Sequence, residues 1–307
     1  MASVQAALHQ GVEQLRTAGS ESARLDAELL LAHVLGTDRT TILAHPEAGV
    51  GEGQMRSYEE ALRRRSAGEP VAYLRGVKEF FGMAFTVDQR AFIPRPETER
   101  LVELGLERCI AMLTAAPRPA DSSPVQVLDV GTGSGAVAVA LAAALRRRGF
   151  HDTVRFLATD SSGPALALAT ENAVGHGVAD VIRFREADVQ AEDLVDGPYD
   201  LVLANLPYVP SDLVPQLPVA ASFEPSVALD GGADGLVLIR ALMEQLPGLL
   251  AGRGCGLLEI GSDQRHAVAQ AADELLPGWE VSVHDDLASL PRVAELRPPR
   301  PDDRPVR

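Results

Sequence analysis

Lysine is almost missing from this 307-residue chain, where Lys78 stands alone against 27 arginines. Schiff-base or lysine-base chemistry therefore has a single possible carrier, and no phosphate loop ending in Gly-Lys-Ser/Thr exists. Cysteine is nearly as scarce. Cys109 and Cys255 lie far apart with no Cys or His neighbours at metal-ligand spacing, so neither a disulfide scaffold nor a structural zinc is indicated. Both read as small buried hydrophobes. An excess of basic charge is also lacking: 28 Lys and Arg face 43 Asp and Glu, a net charge of -15. That is the reverse of the footprint expected of a protein holding nucleic acid through its phosphates. No apolar run approaches the roughly 20 residues of a membrane span, and Met1 to Arg16 has polar residues throughout and no apolar core segment like that of a secretory signal. A soluble cytoplasmic protein is the expectation. What is present is ordinary globular composition, 46% hydrophobic and 23% charged, in a chain long enough for two domains.

From Ser3 to Gly68 the apolar spacing is helical. Val4, Ala7, Leu8, Val12 and Leu15 follow Ser3 as N-cap, with Gly19 as a stop. A second helix is predicted over Ser22 to Leu35, ending at Gly36, and a short third from Asp38. A fourth runs from Gln54 to Ala67 with Met55, Tyr58, Ala61 and Leu62 on one face. The Arg63, Arg64, Arg65 run reads as a solvated helix C-terminus favoured by the dipole, with an anionic-partner patch as the alternative. Between Val77 and Ile93 the period changes to that of a β-hairpin around Gly82. Four of the eight phenylalanines fall here, read as packing between two domains.

A helix near Glu97 to Leu113 and a Pro/Ser-rich loop (Pro117 to Pro124) lead into alternating strands and helices. Strands are predicted at Val125 to Val130, Val154 to Ala158, Val181 to Phe184, Asp200 to Ala204, Cys255 to Ile260 and Glu280 to His284. Helices are predicted at Gly135 to Arg148, Pro164 to Val174, Gly235 to Leu250 and Asp263 to Leu275. Such alternation gives an α/β fold with a doubly wound, mostly parallel sheet. A seventh strand, Val293 to Leu296, has no helix before it and is expected to pair antiparallel at the end of the sheet. Arg297 to Arg307, with four prolines and four arginines, reads as a disordered tail. The expected organisation is a helical domain over 1–75, a hairpin linker over 76–95, an α/β domain over 96–299 and a tail over 300–307.

Chemistry concentrates where strands end. The first strand runs into Asp129, Val130, Gly131, Thr132, Gly133, Ser134 and Gly135, and then a helix. Glycines suit a sharp strand-to-helix turn and the close approach of a ligand to backbone. The pattern alone does not separate a dinucleotide site from a nucleoside site, and a turn without a ligand is the bland alternative. Asp160 closes the next strand, where a carboxylate would accept both ribose hydroxyls of an adenosine cofactor; capping the following helix is its other reading. Asp188, just past the third strand, is placed to border an adenine.

Asn205, Leu206, Pro207 and Tyr208 follow the fourth strand. An amide or exocyclic amino nitrogen is a poor nucleophile because its lone pair is delocalised. The Asn205 side-chain oxygen and the Leu206 carbonyl are each suited to accept one N–H of such a group, steering the remaining lone-pair density toward an electrophilic methyl. Tyr208 would stack on the planar group and Pro207 would stiffen the loop.

Taken together these strings resemble the HemK/PrmC family, S-adenosylmethionine-dependent methyltransferases of the glutamine side-chain amide in peptide chain release factors. The resemblance covers nearly the whole chain: Leu25 to Leu30, Glu69 to Gly76, Phe80 to Glu99 with its Ile93-Pro94-Arg95-Pro96-Glu97-Thr98-Glu99 signature, the glycine loop, and Asn205 to Tyr208. It continues through Phe223-Glu224-Pro225, Ala228 to Gly232, and Leu258-Glu259-Ile260-Gly261 with Gln264. It implies a seven-stranded class I, Rossmann-like methyltransferase domain behind a helical substrate-docking domain. It also implies S-adenosyl-L-methionine as cofactor (S-adenosyl-L-homocysteine as product), no metal, and release factors bearing a Gly-Gly-Gln loop as substrate. Asp129, Gly131 to Gly135, Asp160, Asp188, Val189 and Asn205 match the cofactor positions, and Asn205 to Tyr208 the substrate-amide site. Two departures stand out. Leu206 replaces the family's usual Pro, as in adenine-N6 methyltransferases acting on ribosomal RNA, and Val189 stands where some relatives carry an aromatic.

The leading expectation is therefore a protein-glutamine methyltransferase. A methyltransferase of another protein glutamine, such as one in a ribosomal protein, or of an RNA adenine is the first alternative, and a non-methylating nucleotide-binding domain the second. Residues 1 to 90 carry a net charge of -2 and residues 91 to 307 a net of -13, which argues against a stable nucleic-acid partner. No membrane partner is expected. The oligomeric state is left open by the sequence, with a monomer as the expectation.

Overall fold

The computed structural model describes residues 2–115, 123–191 and 194–299. Most of the Pro/Ser-rich loop and the 300–307 tail lie outside the described residues. The chain divides into two compact units: Met1–Val77 with Val87–Gln89 and Leu217–Glu224, and Lys78–Thr86 with Arg90–Gln216 and Pro225–Arg307.

In the first unit, α1 (Val4–Thr17), α2 (Ala23–Leu35), α3 (Arg39–Ala44), α4 (Glu52–Ser66) and α5 (Val71–Arg75) are helical, and two-residue strands β1 (Ala2–Ser3) and β2 (Gly49–Val50) pair antiparallel. Ser3 accepts the Ala6 N–H, the cap expected from sequence, and Asp38, where the third helix was expected to start, caps it by accepting the Thr41 N–H. α4 starts two residues earlier than expected, because the Gln54 side chain reaches back to accept the Gly51 N–H from the third helical position. Leu15, Leu30, Leu31, Tyr58 and Leu62 form the core, and the buried Tyr58 hydroxyl donates to the Ala27 carbonyl at 3.2 Å. The arginine run is not simply solvated. Arg63 pairs with Glu60 and Arg64 with Glu69, while Arg65 reaches the buried Asp26 at 2.8 Å.

The hairpin of β3 (Val77–Phe80) and β4 (Met83–Thr86) turns at Phe81 and Gly82, both at positive φ (52° and 68°), as a two-residue turn that fits the strand twist requires. Phe80 and Phe85 meet edge to face, and Phe85 lies 5.0 Å from the His176 ring at the end of α8 (Gly163–Gly175). Contrary to expectation, these two rings pack within the second unit.

After α6 (Glu99–Thr114), β5 (Val125–Val130), α7 (Ala136–Arg147), β6 (Val154–Asp160), α8, β7 (Ile182–Glu186), β8 (Tyr199–Ala204), α9 (Val237–Leu249), β9 (Leu250–Glu259), α10 (Arg265–Leu275), β10 (Glu280–Asp285) and β11 (Pro291–Arg297) follow. Among the described residues the main sheet has seven strands in the order β10-β11-β9-β8-β5-β6-β7, with parallel pairing from β9 through β7. β11 is antiparallel to both neighbours and sits between β9 and β10 instead of at the end of the sheet. Burial explains the correction: Val293, Ala294 and Leu296 are fully buried, whereas β10 has no buried residue and takes the edge. β9 begins five residues before its predicted start. The two cysteines are buried as expected, and burial pushes both thiols up to about 12.

The register positions the site. Val130 lies opposite Ala204 and next to Thr159, so the glycine loop after β5 and the Asn205 string after β8 leave adjacent strands at one level. β6 continues the sheet on one side of β5 and β8 on the other. The pair thus brackets the crevice at the topological switch point, where open α/β sheets bind ligands.

Candidate active site

A cavity of about 580 Å³ opens at this crevice, and Asp129, Gly131, Thr132, Gly133, Ser134, Asp160, Asp188, Val189 and Asn205 to Tyr208 all line it. That size suits a drug-sized ligand. Of the residues singled out from sequence, only Gly135 is absent from the lining: its backbone at φ 79° packs against Ala169 of α8, a role in helix packing.

The loop is held from below. Thr132 donates its N–H to the Thr159 carbonyl and its hydroxyl to Asp129 Oδ2 at 2.7 Å. Burial pushes the Asp129 carboxyl up to about 6, against the bond from Thr132. Asp160 accepts the Gly133 N–H (2.8 Å) on one oxygen and the Ser162 N–H (2.9 Å) on the other, so it ties the second strand's end to the glycine loop. It does not cap α8, because Ser162 does, accepting the Ala165 N–H. Burial raises the Asp160 carboxyl above its ordinary value despite these donors. Asp188 accepts the Gln190 N–H, while the Val189 side chain joins the buried apolar cluster and its carbonyl accepts from Gln245 of α9 at 2.6 Å.

Asn205 donates from Nδ2 to Thr98 Oγ1 at 3.0 Å. The Leu206 side chain is buried in the core against the glycine loop, which accommodates a leucine at this position. Behind the string, the Tyr208 hydroxyl donates to Glu259 Oε1 at 3.5 Å, and burial pushes the Glu259 carboxyl up to about 7. The Tyr208 carbonyl accepts from Gln264 Nε2 at 3.0 Å, while Gln264 Oε1 accepts the Gly261 N–H. A Cβ at Gly235 would stand 2.3 Å from that same carbonyl, so only glycine fits there.

Thr98, Glu259 and Gln264 hold the Asn205 to Tyr208 string by hydrogen bonds, and residue-level reading gave them no role. Their sequence signals are their places in the Ile93 to Glu99 signature and in the Leu258 to Gly261 string with Gln264, and for Glu259 also a charged residue ending the apolar run Gly256-Leu257-Leu258 on a buried strand. Among the described residues, no group of three or more His, Cys, Asp or Glu is placed to hold a metal, and no helix is long and apolar enough to cross a membrane.

Residues 6–76 match the PrmC N-terminal domain family and residues 127–218 a methyltransferase domain family. A release factor glutamine methyltransferase of Deinococcus radiodurans is 36% identical over 290 residues, covering 94% of this chain and 96% of its own length. One from Cereibacter sphaeroides is 38% identical over 295 residues, covering 95% and 98%. Among solved structures, the hMettl16 catalytic domain in complex with a MAT2A 3′UTR hairpin matches with a TM-score of 0.54 at 14% identity, over 80% of this chain and 82% of that one, a likeness of fold alone. Identity above 30% along nearly the full length of both partners places the chain in the release factor glutamine methyltransferase (HemK/PrmC) family.

Proposed function

We propose that this protein methylates the side-chain amide nitrogen of a release-factor glutamine, in a Gly-Gly-Gln loop, at the crevice between β5 and β8. The observation that carries the proposal is the convergence of Asn205 to Tyr208 with the glycine loop on one cavity. The residues fit S-adenosylmethionine: Gly133 has no atom within 4 Å of where a Cβ would stand, leaving room above the loop, and the half-buried Asp160 carboxyl borders it as an acceptor for ribose hydroxyls. When bound, that cofactor supplies an electrophilic methyl on a sulfonium. Asp188 and Val189 would border the adenine, with Val189 offering an apolar edge in place of a stacking ring.

Asn205 Oδ1 and the Leu206 carbonyl each accept one N–H of the glutamine amide, which orients its remaining lone pair and holds the developing positive charge on nitrogen. Tyr208 flanks the planar amide, and Pro207 restricts the loop that carries both acceptors. Holding nucleophile and methyl in line supplies the larger part of the rate, since positioning can contribute roughly 7–11 kcal/mol. The helical unit, with its match to the PrmC N-terminal domain, serves to dock the release factor. Asn205→Ala removes one acceptor and is expected to lower kcat by roughly 10–100-fold at unchanged fold, on the scale of one lost hydrogen bond to a charged group. Methyl incorporation from labelled cofactor into a release factor measures this, and equal incorporation by the variant and the parent would remove Asn205 from the mechanism.

A further inference from the structure

Beyond Tyr208 the chain leaves the second unit after Gln216 and rejoins it at Pro225, and the returning segment is fastened beside the Asn205 to Tyr208 string. Val209 donates its N–H to the Leu229 carbonyl (3.2 Å) and accepts the Gly231 N–H (2.8 Å), while Ser211 donates its N–H to the Gly232 carbonyl (2.9 Å). Side chains close the same joint. Asp230 Oδ1 accepts the Ser211 hydroxyl at 2.6 Å and the Gly232 N–H at 2.9 Å, so one oxygen ties the two segments together. A Cβ at Gly231 would stand 2.7 Å from the Pro207 carbonyl oxygen and 2.8 Å from Tyr208 Cα, so only glycine lets the two backbones meet.

This joint holds an apolar wall of the cavity. Pro225, Val227, Ala228 and Leu229 line it, immediately before Asp230. Leu229 is 8% exposed, whereas Val227, two residues earlier, is 69% exposed although it lines the same cavity. A lone exposed valine on an open surface needs no explanation. In a cavity that also carries hydrogen-bond acceptors, it supplies apolar contact to whatever those acceptors bind. A glutamine has the matching construction, because two methylenes join its backbone to the amide. Covering that stem removes apolar surface from water while the amide meets its acceptors.

We infer that Val227 and Leu229 form the wall against which the methylene stem of the substrate glutamine lies, and that Ser211 and Asp230 are positioning residues which clamp this wall to the acceptor string. The inference rests on the proposed methylation of a release-factor glutamine. Asp230 acts by geometry, since both of its bonds pass through one oxygen that an asparagine amide also provides. Ser211 and Asp230 work as one clasp, so losing either side chain opens the same bond.

The test is steady-state methylation of a release factor by Ser211→Ala, Asp230→Ala, Asp230→Asn, the double variant Ser211→Ala/Asp230→Ala and Val227→Ser, together with calorimetric affinity for S-adenosylhomocysteine. Asp230→Ala is expected to raise KM for the release factor roughly 5–10-fold, the low end for a bond to a charged group because water reaches this one, and Ser211→Ala to match it. A kcat within about threefold and a cofactor affinity within about twofold of the parent mark lost substrate binding, not lost fold or chemistry. Asp230→Asn should recover most of the KM, and adding Ser211→Ala to Asp230→Ala should cost less than about a further twofold. Val227→Ser, at an exposed position, should raise KM roughly 3–10-fold by replacing apolar contact with a hydroxyl. A parent-like KM in Asp230→Ala or Val227→Ser, equal loss in Asp230→Asn, losses that multiply in the double variant, or a fall in kcat or cofactor affinity in place of the KM effect would each overturn the inference while leaving the methylation standing. A parent enzyme that adds no methyl to the release factor would remove the proposed function and the inference together.

Discussion

Alanine at position 131 perturbs the junction between the two site loops at a single atom. Gly131 sits at φ +71°, and a Cβ there would stand 2.8 Å from Leu206 Cδ2. Left-handed backbone costs an L-residue about 1–2 kcal/mol, and forcing a methyl into a filled space costs about 1–3 kcal/mol more. Gly131→Ala is therefore expected to destabilise the second unit by about 2–5 kcal/mol. Leu206 is 5% exposed within the core cluster, so Leu206→Ala alone is expected to cost about 2–5 kcal/mol. The pair is not independent, because removing Cδ2 removes the clash but not the φ strain. The double variant should be more stable than the sum of the single losses by about 1–3 kcal/mol, the overpacking part alone. Urea unfolding without ligand, read as midpoints at constant slope, measures all four corners. Additivity within about 0.5 kcal/mol would refute the claim that Leu206 and Gly131 are matched by contact.

Further consequences concern the carboxylates and the helical unit. Asp160→Ala deprives the Gly133 and Ser162 N–H groups of their acceptor and removes the carboxylate proposed to hold the ribose, and bonds to a charged group contribute about 1.5–3 kcal/mol. S-adenosylhomocysteine affinity is expected to fall roughly 10–100-fold by calorimetry, and an unchanged value would remove Asp160 from the cofactor site. Asp129 titrates near 6 in the fold against 3.8 as its ordinary value, so the native state binds this proton more tightly. Its contribution is complete below about pH 4 and lost as pH rises through 6, a decline of roughly 1–3 kcal/mol that Asp129→Asn should abolish in thermal melts across that window. Tyr58→Phe removes the donor to the Ala27 carbonyl and should lower the stability of the helical unit by about 0.5–1.5 kcal/mol; no change in its melting would contradict that bond.

The parts of the fold legible in sequence are those governed by local rules. Ser3 and Asp38 are caps because a side-chain oxygen reaches an N–H three residues on, and the glycine loop announces itself by turns that other residues resist. The end of β11 was misplaced because burial, not sequence adjacency, decides which strand of the last hairpin takes the edge. The second reading of Asp160 failed for a related reason: Ser162 is closer to the helix start and takes the cap, freeing the carboxylate to hold the loop. The pairing of Thr98 with Asn205 is not legible because the two lie 107 positions apart, a distance no spacing rule spans. The same holds for Gln264, whose bond to the Tyr208 carbonyl joins α10's start to the loop after β8 across 56 positions.

The acceptors proposed after β8 select a protein amide. Incubation with S-adenosylmethionine and, in parallel, a purified release factor, total ribosomal protein and ribosomal RNA, followed by mass spectrometry of each, tests it most directly. One added methyl on the glutamine of the release factor's Gly-Gly-Gln loop, absent with Asn205→Ala, is the expected result. Methyl appearing on adenine with none on the release factor would contradict it.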